Sequence, residues 1–330
     1  MLLNPFSLTI LFFALISLVI ALCGGLAALR GLKNRHTLLD RKMHLLFLSA
    51  SIFLTARLCS YPFFYVALQN LVKEIKGAMC IYGVTQVLPN LCIFLEIIKP
   101  IIFFFTGGWL ILHYLTRQCK IESLFLKKLI FFLFISFLVI IDSAGDLLFF
   151  LKMNSDTTVR CCTLPLDSPH RLSATICKQL LGRHYEKPLF FIYYLSNFIL
   201  AGGAWYVLLA KKSVTKQDRQ KRSFTLIFIL GLINFFITGL AIFEIIAPGM
   251  MHLPYHHCPY CLLQYVPDSF IILGLFMLGT FGLGWTFGIK IVTINEETSG
   301  KLTFSLNRLC LISIFSLFIS LAMVTFHLVL

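Results

Sequence analysis

Charge is what this sequence has least of. Charged residues make up 13% of its 330 positions, and the 14 acidic ones are half as many as the 28 basic ones. Hydrophobic residues make up 58%, with a mean hydropathy of +0.89. A soluble domain cannot hide that much apolar surface, so an ordinary globular fold is excluded. Other absences narrow the reading further. The first apolar run has no basic stretch ahead of it, so a retained membrane helix is expected there rather than a cleaved signal peptide. Ile20-Ala21-Leu22-Cys23 lacks the small residue that a lipoprotein box needs before its Cys. Residues 248–268 contain no Lys or Arg, and the loops match neither in length nor in motif, so no internal repeat is expected.

What the chain does have is long apolar runs. About eight of them reach the roughly 20 residues that a helix needs to cross a hydrocarbon core. They fall at 6–29, 44–67, 91–116, 129–151, 188–210, 224–247, 269–291 and 308–329. A backbone in lipid must satisfy its own hydrogen bonds, so these runs read as helices despite their glycines and β-branched residues. The predicted fold is all-α, a polytopic membrane helix bundle forming one domain over 1–330.

The net charge of +14 would suggest nucleic acid in a soluble protein. Here the basic residues cluster between apolar runs and report topology instead, so the partner is the lipid bilayer and not nucleic acid. Arg30, Lys33, Arg35, Arg41 and Lys42 fill the first connection. Arg117, Lys120, Lys127 and Lys128 lie in the third, and Lys211, Lys212, Lys216, Arg219, Lys221 and Arg222 in the fifth. Lys290, Lys301 and Arg308 surround the seventh. The positive-inside rule then puts both termini, the long loop 152–187 and the loop 248–268 outside the cytoplasm. A bacterial inner (plasma) membrane is the expected location, with 152–187 folding as a cap over the outer face.

Several ionisable residues fall inside the apolar runs: Arg57, Glu96, Lys99, Asp142, Asp146 and Glu244. A charge at the membrane centre costs roughly 2.5–3.5 kcal/mol on insertion scales, so such residues are functional candidates by default, here for a proton or ion path. Glu96 and Lys99 are three apart and suit one helical face. Asp142 and Asp146 are four apart on one face, with Arg57 a counter-ion for one of them.

The 11 cysteines concentrate on the expected outer side, where an oxidising compartment favours disulfides. Cys80 lies in a turn-rich stretch between Gly77 and Gly83, and Cys161, Cys162 and Cys177 lie in the long loop. The densest stretch is 250–261, Met-Met-His-Leu-Pro-Tyr-His-His-Cys-Pro-Tyr-Cys, which holds three of the nine histidines. If Cys258 and Cys261 open a helix, their thiols sit close enough to exchange and leave. The same spacing suits a soft metal. With Met250, Met251, His252, His256 and His257 beside it, the stretch offers the thiolate, thioether and imidazole set that selects copper or zinc. It is not a c-type haem site, because Leu262 stands where that motif needs His.

Residues 258–265, Cys-Pro-Tyr-Cys-Leu-Leu-Gln-Tyr, resemble the Cys-x-x-Cys and following membrane helix of DsbB-type and vitamin-K-epoxide-reductase-type thiol oxidoreductases. The resemblance implies that Cys258 and Cys261 pass electrons to a membrane quinone. Cys80, Cys161, Cys162 or Cys177 would then exchange disulfides with an extracytoplasmic thiol protein. Two other function classes stay open beside membrane thiol oxidoreductase. One is copper or zinc handling, as transport or metal-site assembly; the other is a structural subunit of a membrane complex.

Overall fold

A computed structural model describes residues 4–33, 41–117, 121–154, 156–159, 162–209, 217–293 and 300–329. Cys119, Cys161 and several basic residues used above for orientation (Arg35, Lys120, Lys211, Lys212 and Lys216) lie outside the described residues. Among the described residues there is helix and no strand. Eight helices are long and apolar enough to cross a membrane, and the chain is an integral, multi-pass membrane protein.

The contacts divide the chain into two compact units, Met1–Cys161 and Cys162–Leu330, where the sequence suggested one domain. The dividing line falls inside the loop expected to act as a cap. The first unit is built from α1 (Pro5–Lys33), α2 (Arg41–Leu71), α3 (Ile81–Thr85), α4 (Pro89–Leu115) and α5 (Glu122–Lys152). Its four long helices close a ring in which α1 packs on α2 and α5, and α4 on α2 and α5.

The second unit starts with α6 (Thr163–Leu166), α7 (Leu172–Leu181), α8 (Glu186–Leu209) and α9 (Gln217–Ala241). A π-turn at Ile242–Ile246 leads into α10 (Ala247–Met250), α11 (Pro259–Tyr265), α12 (Asp268–Thr293) and α13 (Gly300–Val329). The same ring recurs, with α8 on α9 and α13, and α12 on α9 and α13.

Lipid tails are as apolar as leucine, so helices in a bilayer gain by close packing and polar contacts rather than by hiding large side chains. The sequence of α1 shows this. Its buried positions are Ser7, Ile10, Ala14, Ser17, Ala21, Gly25, Ala28 and Gly31, almost wholly small residues spaced three or four apart. Phe12, Leu15, Val19, Leu22, Leu26 and Leu29 point outward. In the second unit, a Cβ on Gly279 of α12 would lie 2.5 Å from Leu317 Cγ and 3.0 Å from the Ser313 carbonyl oxygen of α13. Only glycine lets these two backbones approach so closely. Between α8 and α9 the join is polar: Asn234 donates to Asn197 Oδ1 at 3.1 Å, and Ser196 donates to Asn234 Oδ1 at 2.7 Å.

The two units also share a short motif that corrects the expectation of no repeat. Cys80, Tyr82, Gln86, Pro89 and Asn90 match Cys258, Tyr260, Gln264, Pro267 and Asp268 in identity or kind and in spacing. Each cysteine is the extended N-cap residue of a short helix, α3 or α11, between the second and third long helices of its unit.

Candidate metal centre

The site in the second unit is assembled from two separate stretches. Pro259 stands at the first position of α11, where its fixed φ suits a helix start and its missing N–H leaves nothing unsatisfied. Cys258 is therefore the N-cap, and Cys261 follows one turn later on the same end of the helix. The second stretch is the segment from Cys162 to Asp167, including α6. The sulfurs of Cys162, Cys258 and Cys261 all lie within 4.8 Å of one another. All three residues are buried, and the sulfurs of Cys162 and Cys261 are 3.8 Å apart.

That spacing bears on two chemistries. A sulfur–sulfur bond is about 2.05 Å long, so the pair as placed is not a disulfide. A tetrahedral zinc holding thiolates at about 2.3 Å sets neighbouring sulfurs about 3.8 Å apart. The observed separation matches the edge of that tetrahedron.

An imidazole stands beside one of the three sulfurs. His256 Nε2 is 4.0 Å from Cys162 Sγ, and its Nδ1 is 2.9 Å from Asp167 Oδ2. With Nδ1–H donated to the carboxylate, the lone pair of Nε2 is the one turned toward sulfur. A carboxylate that fixes the tautomer of a ligating histidine is the usual outer support of a zinc site. Asp167 also accepts the backbone N–H of His257 through Oδ1 at 3.0 Å, so one side chain holds both residues in register. His257 Nδ1 lies 2.9 Å from the carbonyl oxygen of Phe243 and is spent on the π-turn.

Met250, Met251, His252 and Cys177, also singled out from sequence, lie elsewhere. Met250 is buried in an apolar cluster with Tyr193, Ile272 and Leu321, and Met251 packs against its edge. His252 is exposed at a φ of 54°. Cys177 is buried in a different cluster, among Ala174, Tyr185 and Leu189. Burial pushes its thiol up to about 11, and the charge of Glu244 adds to this. Cys80 is buried in the first unit at the start of α3.

The ionisable residues of the membrane helices are tied to protein partners. In the first unit Arg57, Lys99, Asp142 and Asp146 form a buried tetrad. Arg57 Nη2 donates to Asp142 Oδ2 and, at 3.1 Å, to Asp146 Oδ2. Lys99 Nζ donates to Asp142 Oδ1 at 2.9 Å and Asp146 Oδ1 at 2.7 Å. Each carboxylate oxygen thus accepts from one cation. Glu96 accepts from the Cys92 thiol at 3.7 Å.

In the second unit Glu244, on the π-turn, receives both arms of Arg171, Nε at 2.8 Å and Nη2 at 2.5 Å. The Tyr185 hydroxyl donates to the same carboxylate at 2.5 Å. Burial works to lower the Arg171 pKa, but its bonds to Glu244 and that residue's charge outweigh it, and the net direction is upward. Asp167, Arg171 and Tyr185 were missed in the sequence. Their only signal there was membership of a long polar loop.

No protein-family profile matches this chain, and comparisons with curated proteins and with solved structures return no match.

Proposed function

We propose that this membrane protein holds a zinc ion through Cys162, Cys258, Cys261 and His256 at its extracytoplasmic face. The observation that carries the reading is the trio of buried sulfurs within 4.8 Å of one another. Thiolate and imidazole ligands in tetrahedral array suit zinc, and copper(I) is the competitor that the same soft donors admit. Four protein donors leave no open position, which marks a site that stabilises a fold rather than one that activates water. The bound ion ties the loop around Cys162 to the start of α11. The sidedness rests on the basic connections, and a bacterial inner membrane fits it.

A cation path through Asp142, Asp146 and Glu244 has less support, because every one of these carboxylates already accepts from Arg or Lys. Thiol exchange is the second reading. It is favoured by the placing of Cys258 and Cys261 at a helix start and by the likeness to quinone-linked thiol oxidoreductases.

Thiol alkylation of the Cys258–Cys261 peptide in native membranes, read as a mass shift, separates the readings when paired with elemental analysis. The expected result is thiols blocked until a chelator is added, with about one zinc per chain. Release by reductant alone would replace the zinc site with a redox disulfide. Immediate alkylation without either treatment would sink both, leaving a structural subunit of a membrane complex. His256→Ala belongs in the same experiment and should lose the ion. Zinc retained in that variant would remove the imidazole from the ligand set.

A further inference from the structure

The first unit contains a cavity of about 190 Å³ beside the charged tetrad, independent of the metal centre. Thr9 and Phe13 of α1 and Cys59 and Phe63 of α2 frame it, with Tyr61 and Arg57 at its inner wall. Thr9, Cys59 and Phe63 are exposed on membrane-spanning helices, so the mouth opens sideways toward lipid rather than toward water. The volume exceeds the roughly 150 Å³ that admits a benzene-sized guest in an apolar cavity.

Its polar equipment is one-sided. Among the described residues, Arg57 Nε and the Tyr61 hydroxyl are buried and find no acceptor, although both residues border the cavity. Arg57 is 2% and Tyr61 6% exposed. A buried donor without a partner costs about 1–3 kcal/mol, and more when charged, so two of them side by side call for an acceptor. The carboxylate oxygens of Asp142 and Asp146 are already engaged. Asp146 also borders the cavity, but a cation entering here would have to compete for it with Arg57 and Lys99. An anion would unbalance a tetrad of two cations and two carboxylates, in a place where an unmatched charge is expensive.

We propose that the cavity binds a neutral, lipid-dissolved molecule through a carbonyl-type oxygen, which accepts from Arg57 Nε and the Tyr61 hydroxyl while its apolar body lies between α1 and α2. The chemistry is shared by membrane ketones, quinone-like rings and the ester groups of the lipids themselves.

Two photoreactive probes test it on the full chain in nanodiscs of ether-linked lipid: a diazirine-bearing dodecanone and the matching diazirine-bearing dodecane. The ketone should label the peptides around Phe13 and Cys59 saturably, at least about tenfold above the alkane, which is the upper end of one hydrogen bond's worth. Tyr61→Phe should cut that labelling about fivefold and leave the thermal stability of the probe-free protein unchanged or raised. Weaker ketone labelling in ester-lipid discs would assign the native occupant to the lipid ester. Unchanged labelling there would assign it to a separate small molecule.

Equal labelling by both probes would reduce the cavity to an apolar crevice, and no saturable labelling would leave it to water. If Tyr61→Phe lowered stability with labelling unaltered, the hydroxyl would serve Arg57 alone and the proposal would fall.

Discussion

Asp167 holds His256 by Nδ1 at 2.9 Å and the following backbone N–H at 3.0 Å, so one loop carboxylate sets both the ring's tautomer and its place in the chain. If His256 is a zinc ligand, Asp167→Asn keeps the shape but weakens the charge that makes the imidazole a strong donor. Outer-shell substitutions of this kind typically lower metal affinity about 10–100-fold. Competition with a chromogenic chelator measures it. An unchanged affinity would show that His256 does not bind the metal.

Cys177 gives a pH signature separate from the metal centre. Its thiol is pushed up from an ordinary value of 9.0 to about 11, first by burial and then by Glu244. The folded chain keeps this proton at pH values where the unfolded chain has lost it. The resulting stability is whole below about pH 9 and is lost as pH rises through about 11. Alkylation of Cys177 in the folded protein should therefore stay slow at pH 8 and quicken only toward the upper value. Cys177→Ala should remove its share of the alkaline loss of thermal stability.

The tetrad of Arg57, Lys99, Asp142 and Asp146 should respond to single and paired changes in opposite ways. Removing one member strands a buried opposite charge, and a loss of about 3–5 kcal/mol is expected for Asp146→Asn or Lys99→Met alone. Making both changes together keeps the charges balanced and should restore much of that loss. Unfolding in mixed micelles of all three variants gives the coupling energy. Additive losses would mean that the charges do not act as a unit.

Much of the frame was open to reading in the sequence. The eight spans follow from length and hydropathy, because lipid forces helix on any long apolar run. The pairing of Arg57 with the aspartates followed from the cost of a lone charge, although Arg57 reaches both carboxylates and Lys99 joins it. The selection among cysteines was not legible. Cys162 meets Cys261 across a long stretch of chain, whereas Cys177, in the same loop, turns into an apolar cluster. Periodicity carries no information about contacts so far apart in sequence. The repeated motif was visible but easily passed over, because Gly83 stands where the second unit has Cys261, so the first copy shows no Cys-x-x-Cys.

The arrangement of α1, with its bulk turned outward and its small residues inward, reverses the usual map of tolerance to substitution. In a water-soluble helix the large apolar side chains are the ones selection guards. Here a saturation scan should find Phe12, Leu15, Val19 and Leu26 freely exchangeable among oily residues. Ala14, Ala21 and Ala28 should accept almost nothing larger, so the smallest side chains of this helix are the ones least tolerant of change.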